Sequence, residues 1–462
     1  MRLTLIHPCI GRRPGQDYVK TWQMEPLPPA AIAGLTPPGI EIAFYDDRME
    51  PIPYDRPTDL AAISIETYTA KRAYQIASEY RRRGVPVVMG GFHATLCPLE
   101  AARYAEAVVI GEAEGLWTRV LEDAARGALQ PYYRSSQRPS LAGLLPDRSI
   151  YAGKRYLPLA LAETTRGCRF ECDFCAIQSF FDSTHNVRPI DDVVAEVEAL
   201  DKPLIFFVDD NLTSNVNYAK ELLHALIPLK VRWVGQITVN AVHDSELLEL
   251  MAASGCQGVL IGFESLNAEN LAEMNKGFNA TKGGFEQALA NLRQHKIKLY
   301  ITFVFGYDCD TADSLWETVQ FAIAHRFYLA AFNHLTPFPG TPLYKRLEAE
   351  GRLLYRKWWL DDGYGYNKIP FQPARMTPER LQSECVRARA AFFSWRNIWR
   401  RGLSPVNRAH PLMWLSYYWI NYLFHREVTQ RDDYPLGDQA WRGELIAVRE
   451  EPPPVPASAP AG

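Results

Sequence analysis

Apolar residues recur along the chain in short runs, separated by stretches with helical periodicity. In the middle of the chain the runs fall at 157–162, 204–208, 231–239, 258–263, 299–305 and 330–335. Continuous apolar runs of this length are typical of strands buried in a parallel sheet. In the stretches between them, apolar residues repeat at helical spacing, as Val193, Val197 and Leu200 do. Residues 155–348 are therefore predicted to form six strand–helix units around a parallel sheet, with right-handed crossovers.

The same alternation in residues 1–140 predicts a separate, doubly wound Rossmann-like α/β domain. Its predicted strands are 3–6, 40–45, 60–65, 85–89 and 107–110. Ligands of open parallel sheets bind beyond the carboxyl ends of the strands. Glycines there let the backbone approach a flat or bulky ligand closely. The residues that follow the fourth and fifth strands include Gly90, Gly91, His93 and Glu112. Alternatively, His93 is a turn or helix-capping residue, and Glu112 belongs to a solvated loop.

The last part of the chain is helical and aromatic in pattern, with many arginines. Residues 349–448 are predicted to be a helical cap over the open side of the unit formed by residues 155–348, with the arginines on the cap's solvated face. An alternative is a surface for a membrane or a lipid substrate, because aromatic and basic residues suit an interface. The proline-rich residues 449–462 are predicted to be disordered.

Composition and charge limit the classes of function that this chain can have. Apolar residues make up 47% of the 462 residues, as in globular proteins, and the formal charge of −3 gives no indication of a nucleic-acid partner. No apolar run is long enough to span a bilayer, and the start of the chain lacks the apolar run of a signal peptide. We therefore expect a cytoplasmic protein with reduced thiols and no transmembrane span.

Three of the eight cysteines are clustered, with the spacing C-x3-C-x2-C at Cys168, Cys172 and Cys175. Thiolates this close in sequence indicate one soft metal centre. A structural zinc site needs a fourth ligand, for which His185 is the nearest candidate. A [4Fe–4S] cluster held by three cysteines keeps one iron open for a substrate or cofactor. The spacing therefore favours a cluster that does chemistry.

This cysteine motif, in a loop after a short strand, resembles that of the radical S-adenosylmethionine (radical SAM) superfamily. The resemblance implies that the six strand–helix units of residues 155–348 form the partial (β/α)6 barrel of that family. It also implies that SAM chelates the open iron and is reductively cleaved to a 5′-deoxyadenosyl radical. It also implies a reductant such as flavodoxin or ferredoxin. By the same resemblance, an aromatic residue of the motif and polar residues at strand ends bind SAM: Phe174, Asp209, Asp210, Asn211 and Glu264.

The order of domains further resembles the branch in which a cobalamin-binding domain precedes the barrel, as in hopanoid methylases. This branch implies a C-methyltransferase acting on a small molecule or lipid, with Ser64, Gly90, Gly91, His93 and Glu112 at the cobalamin. The D-x-H-x-x-G motif that supplies a histidine below the cobalt is not present in the sequence. Two alternatives remain open. One is a cobalamin-independent radical SAM enzyme that makes a C–C bond, a ring or an aminocarboxypropyl adduct. The other is a zinc-stabilised binding protein.

Overall fold

The computed structural model describes residues 1–15, 18, 23–280, 284–430 and 432–456. Its first sheet has six parallel strands, in the order β2-β1-β3-β4-β5-β6. They are β1 (Arg2–His7), β2 (Glu41–Asp46), β3 (Leu60–Ser64), β4 (Val87–Gly90), β5 (Ala107–Ile110) and β6 (Tyr132–Arg134). The sequence predicted the first five, and the three-residue β6 was missed.

Helices cover both faces of this sheet, because its strands are apolar on both sides. Ile63 and Met89 face one buried cluster, whereas Val88 and Val109 face the other. The helices are α1 (Leu27–Leu35), α2 (Ala70–Arg82), α3 (Phe92–Leu96), α4 (Pro98–Tyr104) and α5 (Trp117–Ala125). The α/β fold predicted for this domain is therefore confirmed.

The second sheet also has six parallel strands, in their order along the chain, as in a barrel that stays open. They are β7 (Ala160–Ala162), β10 (Ile205–Phe207), β11 (Trp233–Ile237), β12 (Cys256–Glu264), β13 (Lys298–Phe305) and β14 (Leu329–His334). A short antiparallel hairpin of β8 (Thr165–Gly167) and β9 (His185–Val187) follows β7. The predicted partial barrel is confirmed, and the hairpin was not predicted.

Most helices of the second half connect the barrel strands. After them, α14 packs against the edge strand β14. Those of the barrel are α6 (Ala176–Phe181), α7 (Ile190–Ala199), α8 (Val216–Leu226), α9 (Ser245–Ala253), α10 (Ala268–Glu273), α11 (Gly284–Gln294), α12 (Ala312–Ala324) and α13 (Pro342–Ala349). The last three helices are α14 (Pro378–Phe392), α15 (Trp395–Gly402) and α16 (Pro411–Glu427). None of the helices in the described ranges is long and apolar enough to cross a bilayer.

The predicted helical cap of residues 349–448 needs correction, because only its central part is helical. Trp358, Trp359 and Tyr364 precede α14 and pack into the core of the first domain. After α16 the chain leaves the barrel, and the two-residue strand Gly437–Asp438 pairs with Gly11–Arg12 near the start of the chain. Neither segment is helical, and apolar side chains of both, such as Trp358 and Leu436, pack into the core of the first domain.

The predicted disorder of residues 449–462 also needs correction. Residues 434–456, which we call the C-terminal strap, run along the first domain. The indole of Trp441 donates to Glu79 at 2.8 Å, and Arg449 donates to the carbonyl of Ala105 at 3.1 Å. The hydroxyl of Tyr132 donates to the carbonyl of Pro453 at 2.8 Å. Arginine side chains and backbone groups thus hold a proline-rich segment that lacks helical or strand periodicity. Residues 457–462 lie outside the described residues.

Candidate functional site

The three clustered cysteines lie on one loop, between β8 and α6. Cys172 is buried, and Cys168 and Cys175 are half-buried. Gly167 ends β8 with φ +87°. A Cβ atom at Gly167 would lie 2.1 Å from the carbonyl oxygen of Thr184, so only glycine fits beside the first cysteine. The hairpin therefore fixes where the cysteine loop begins.

The thiols of this loop lie close enough to affect one another's charge. Burial raises the pKa of Cys172 to about 12; the nearby Lys276 opposes this effect, and Cys175 and Cys168 add to it. Burial also raises the pKa of Cys175 to about 11. Such thiols are protonated near neutral pH, so they need a bound metal centre to become thiolate ligands. In the described ranges, no three His, Cys, Asp or Glu side chains surround a point where one metal ion could sit.

Two carboxylates after β10 support the strand that enters the cysteine loop. One oxygen of the fully buried Asp209 accepts hydrogen bonds from the amides of Thr164 and Thr165, both at 2.6 Å. The other oxygen accepts from the Thr164 hydroxyl at 2.8 Å. Asp210 accepts from the amide of Gly167 at 2.8 Å and is only half-buried. Asp209 is thus occupied by the loop, which leaves Asp210 as the more accessible of the two.

The next strand-end groups also reach the cysteine loop. The amide nitrogen of Asn211 lies 3.7 Å from Sγ of Cys168. Glu264 ends β12 in a left-handed conformation, with φ +64°, and accepts a hydrogen bond from Nζ of Lys276 at 2.7 Å. Lys276 is itself buried. Phe174, next to the third cysteine, packs edge-on against Tyr307. All predicted SAM-binding residues therefore surround the loop.

A cavity of about 320 Å³ lies between the first sheet and the elements that flank the cysteine loop, β8 and α6, and we call it the interdomain cavity. Four of the five predicted cobalamin-binding residues border it: Ser64, Gly90, Gly91 and Glu112. On the opposite side it is bordered by Asp210 and by the aromatic rings of α6. The carboxyl ends of the two sheets therefore face each other across this cavity.

Arg166 connects the two domains at the rim of this cavity. Its guanidinium lies 2.8 Å from Glu114, 3.3 Å from Glu112 and 2.7 Å from Glu163. Burial raises the pKa of Glu163 to about 7, although the charge of Arg166 opposes this effect. Glu112 is also paired with Arg138, at 2.7 Å. The first domain thus contacts β8, the strand that leads into the cysteine loop, through buried ion pairs.

Comparison with known proteins agrees with this geometry. Residues 162–322 match the radical SAM superfamily. The chain is 31% identical over 414 residues to bacteriochlorophyllide d C-12(1)-methyltransferase of Chlorobaculum tepidum, covering 87% of this chain and 88% of the relative. It is 28% identical to the bacteriochlorophyllide d C-8(2)-methyltransferase of the same organism, covering 80% of this chain and 86% of the relative. The chain belongs to the radical SAM superfamily.

A solved structure has the same arrangement of domains. The radical SAM methyltransferase TsrM from Kitasatospora setae, with cobalamin and a [4Fe–4S] cluster bound, superposes with a TM-score of 0.60. The match covers 93% of this chain and 99% of TsrM, at 17% sequence identity. The predictions of a radical SAM enzyme, of a methyltransferase and of cluster and SAM as cofactors are confirmed.

The cysteine loop of this radical SAM enzyme fits the cluster that the superfamily implies. Three thiols lie on one loop, within electrostatic reach of one another, and a buried Lys276 lies beside them. A lysine suits a site that gathers thiolates, because it offsets part of their negative charge. The sequence did not single out Lys276. It follows the short helix α10 in a loop without a recognisable pattern, so only the three-dimensional contacts show its place.

His93 is the one predicted cobalamin-binding residue that lies elsewhere. It is fully buried, and its Nε2 atom lies 3.1 Å from Glu100. Its ring packs edge-on against Trp359 from the segment before α14. The second position of α3 faces the core of the first domain, away from the interdomain cavity. His93 therefore belongs to the first domain's core, and no histidine borders the cavity within the described residues.

Proposed function

We propose that this radical SAM enzyme is a cobalamin-dependent C-methyltransferase that acts on a small molecule. The observation that carries the proposal is the interdomain cavity, which lies between the carboxyl edge of a cobalamin-domain-like sheet and the residues that flank the cysteine loop, Arg166 before it and Phe180 after it. The 31% identity to a bacteriochlorophyllide methyltransferase supports methyl transfer. When bound, the cluster supplies an electron to cleave SAM, and cobalamin supplies a methyl group.

The residues present fit these roles. We assign the cluster to Cys168, Cys172 and Cys175, and the ammonium group of SAM to Asp210 because Asp209 already accepts three hydrogen bonds. A carboxylate and an ammonium form a strong, charge-assisted pair. The external reductant, of flavodoxin or ferredoxin type, and the cytoplasmic location remain predictions.

The interdomain cavity fits a flat, bulky cofactor at its glycines. A Cβ atom at Gly90 would meet only Val109, at 3.6 Å, so Gly90 leaves space that a larger side chain would fill. Gly111 has φ +82°, and a Cβ atom placed there would have no neighbour within 4 Å, so its backbone is open to the cavity. Because no histidine among the described residues borders the cavity, cobalamin would bind there without a histidine ligand from the protein.

Filling the cavity tests this assignment. Wild type, Gly90→Ala and Gly90→Leu are reconstituted anaerobically with iron, sulfide and hydroxocobalamin, and bound cobalamin, iron and SAM cleavage are measured. We expect Gly90→Leu to lose most bound cobalamin while its iron content and SAM cleavage stay close to wild type, and Gly90→Ala to lose little. Wild-type protein that cleaves SAM but binds no cobalamin would instead support the cobalamin-independent alternative.

We also propose that α15 and α16 contact an anionic membrane surface. Four exposed tryptophans lie together there, packed against Tyr418 and Tyr422: Trp395, Trp399, Trp414 and Trp419. Four exposed arginines lie on or between these helices, Arg396, Arg400, Arg408 and Arg426, and the sequence has no acidic residue from Trp395 to Arg426. Exposed aromatic rings with basic residues and no acidic ones are complementary to anionic lipid headgroups.

Vesicle co-sedimentation tests this surface. We expect the protein to bind vesicles of equal phosphatidylcholine and phosphatidylglycerol, and to bind phosphatidylcholine alone much more weakly. The double variant Trp399→Ser/Trp419→Ser should lose binding, whereas Leu99→Ser, which changes an exposed apolar residue of the first domain, should not. Equal binding by the double variant and wild type would contradict the proposal.

A further inference from the structure

A second cavity lies beside the edge strand β14, and we call it the edge cavity. Its volume is about 390 Å³. Phe174 of the cysteine motif forms part of its wall, so the cavity reaches the neighbourhood of the cluster ligands. Most of the remaining wall is apolar or aromatic, and includes Tyr68, Phe332, Phe338 and Phe393. An apolar cavity with few polar groups is typical of a small-molecule site.

Two nitrogen-bearing side chains border this cavity with atoms that lack partners. In Arg389, Nε and Nη2 are buried and make no hydrogen bond, and Nη1 makes only a long one of 3.4 Å to the carbonyl of Phe332. In His334, Nε2 is also buried and makes no hydrogen bond. His334 is the last residue of β14, at the same carboxyl edge of the sheet as the other strand-end groups.

The two preceding arginines of α14 show what Arg389 lacks. Arg380 and Arg387 both pair with Glu384, at 2.6 and 3.4 Å. Among the described residues, Arg389 forms no such ion pair with a carboxylate. Glu427 borders the same cavity. A buried guanidinium without an anion is unfavourable, because it loses hydration and gains no counter-charge. Its planar fork of donors matches a carboxylate.

We propose that the edge cavity binds the substrate, and that Arg389 pairs with a carboxylate of an otherwise apolar, ring-containing molecule. His334 then donates or accepts one further hydrogen bond beside that carboxylate. Burial, together with the charge of Arg389, lowers the pKa of His334 to about 3, which keeps the imidazole neutral and leaves Arg389 as the cation. The inference names a substrate class and rests on the proposed methyltransferase function.

Binding of a matched pair of probes tests this inference without any methyl transfer. Pyrene-1-butyrate and its neutral amide are titrated into reconstituted wild type, Arg389→Gln and Arg387→Gln by calorimetry. We expect wild type and Arg387→Gln to bind the acid at least about tenfold more tightly than the amide, since a hydrogen bond to a charged group contributes that much. In Arg389→Gln this preference should disappear while the amide still binds.

A third variant covers the case in which Arg389→Gln does not fold. Arg389→Lys keeps the charge but loses the planar fork, so it should retain only part of the preference for the acid. Equal binding of acid and amide by wild type, binding of neither, or a full preference in Arg389→Lys or Arg389→Gln would overturn the inference. Cobalamin content and SAM cleavage are measured separately, so a failure here is distinguishable from a failure of the proposed function.

Discussion

Substitution of Asp209 separates a structural role from a role in binding SAM. Asp209→Ala leaves two buried amides, those of Thr164 and Thr165, without an acceptor. An unsatisfied buried donor costs about 1–3 kcal/mol, so the two together cost about 2–6 kcal/mol. In a unit the size of the barrel this corresponds to a decrease of about 5–15 °C in the midpoint of thermal unfolding. Asp209→Asn keeps one acceptor oxygen and costs about 1 kcal/mol.

The assay combines unfolding with ligand binding. Thermal unfolding of the iron-free protein is followed by circular dichroism, and the SAM dissociation constant is measured on the reconstituted protein. Asp201→Ala, at an exposed carboxylate before β10, serves as the control and should change neither quantity. A large loss of stability in Asp209→Ala, with near wild-type SAM affinity in Asp209→Asn, is expected. Tenfold weaker SAM binding by Asp209→Asn, with an unchanged midpoint, would refute the reasoning.

Three other predictions concern the cluster, the first domain and the rim of the interdomain cavity. Cys172→Ala should lose cluster iron and SAM cleavage together, and retained cleavage would contradict the cluster assignment. Burial disfavours the charge of Glu100, but its bonds with His93 and neighbouring groups outweigh this and hold its pKa at about 2, below the ordinary 4.5. Ionised Glu100 therefore stabilises the fold above pH 4.5, by at most about 3 kcal/mol, and this contribution is lost as the pH falls towards 2. Glu100→Gln should accordingly have a lower urea midpoint than wild type at pH 7, with a smaller gap at pH 3; a constant gap would refute this. Arg166→Met should destabilise the protein by about 3–5 kcal/mol in thermal unfolding, because it leaves Glu163 and two other carboxylates without this cation; an unchanged midpoint would show that the ion pairs contribute nothing.

The repeating strands were predictable because burial on both faces gives continuous apolar runs. All six barrel strands were found in this way, and so were five strands of the first sheet. The cysteine spacing likewise indicated the cluster, since three thiolates within eight residues have few other uses. In contrast, β6, β8 and β9 have the sequences YYR, TRG and HNV, which contain polar residues and form no apolar run, so they were missed although β7 and β10 are equally short.

The contacts of individual polar residues were less predictable than their positions. Asp209 and Asp210 are neighbours in sequence, yet one is fully buried against the entering strand and the other borders the interdomain cavity. His93 follows Gly91 closely, but the turn into α3 points it at Glu100 and Trp359. Arg389 is one of many arginines in its region, and only the packing around it leaves two of its nitrogens unpaired. Such differences depend on the direction in which each side chain points, and the spacing of residues in a single sequence does not reveal that direction.

The C-terminal strap has a consequence for how this architecture can be recombined. Gly437 and Gln439 donate to the carbonyls of Ile10 and Arg12, so the surface of the first domain is completed by residues more than four hundred positions away. A chimera that exchanged residues 1–140 alone between relatives would separate the domain from this partner. The unit that can be transplanted is therefore discontinuous, and it joins two segments that lie far apart in the sequence.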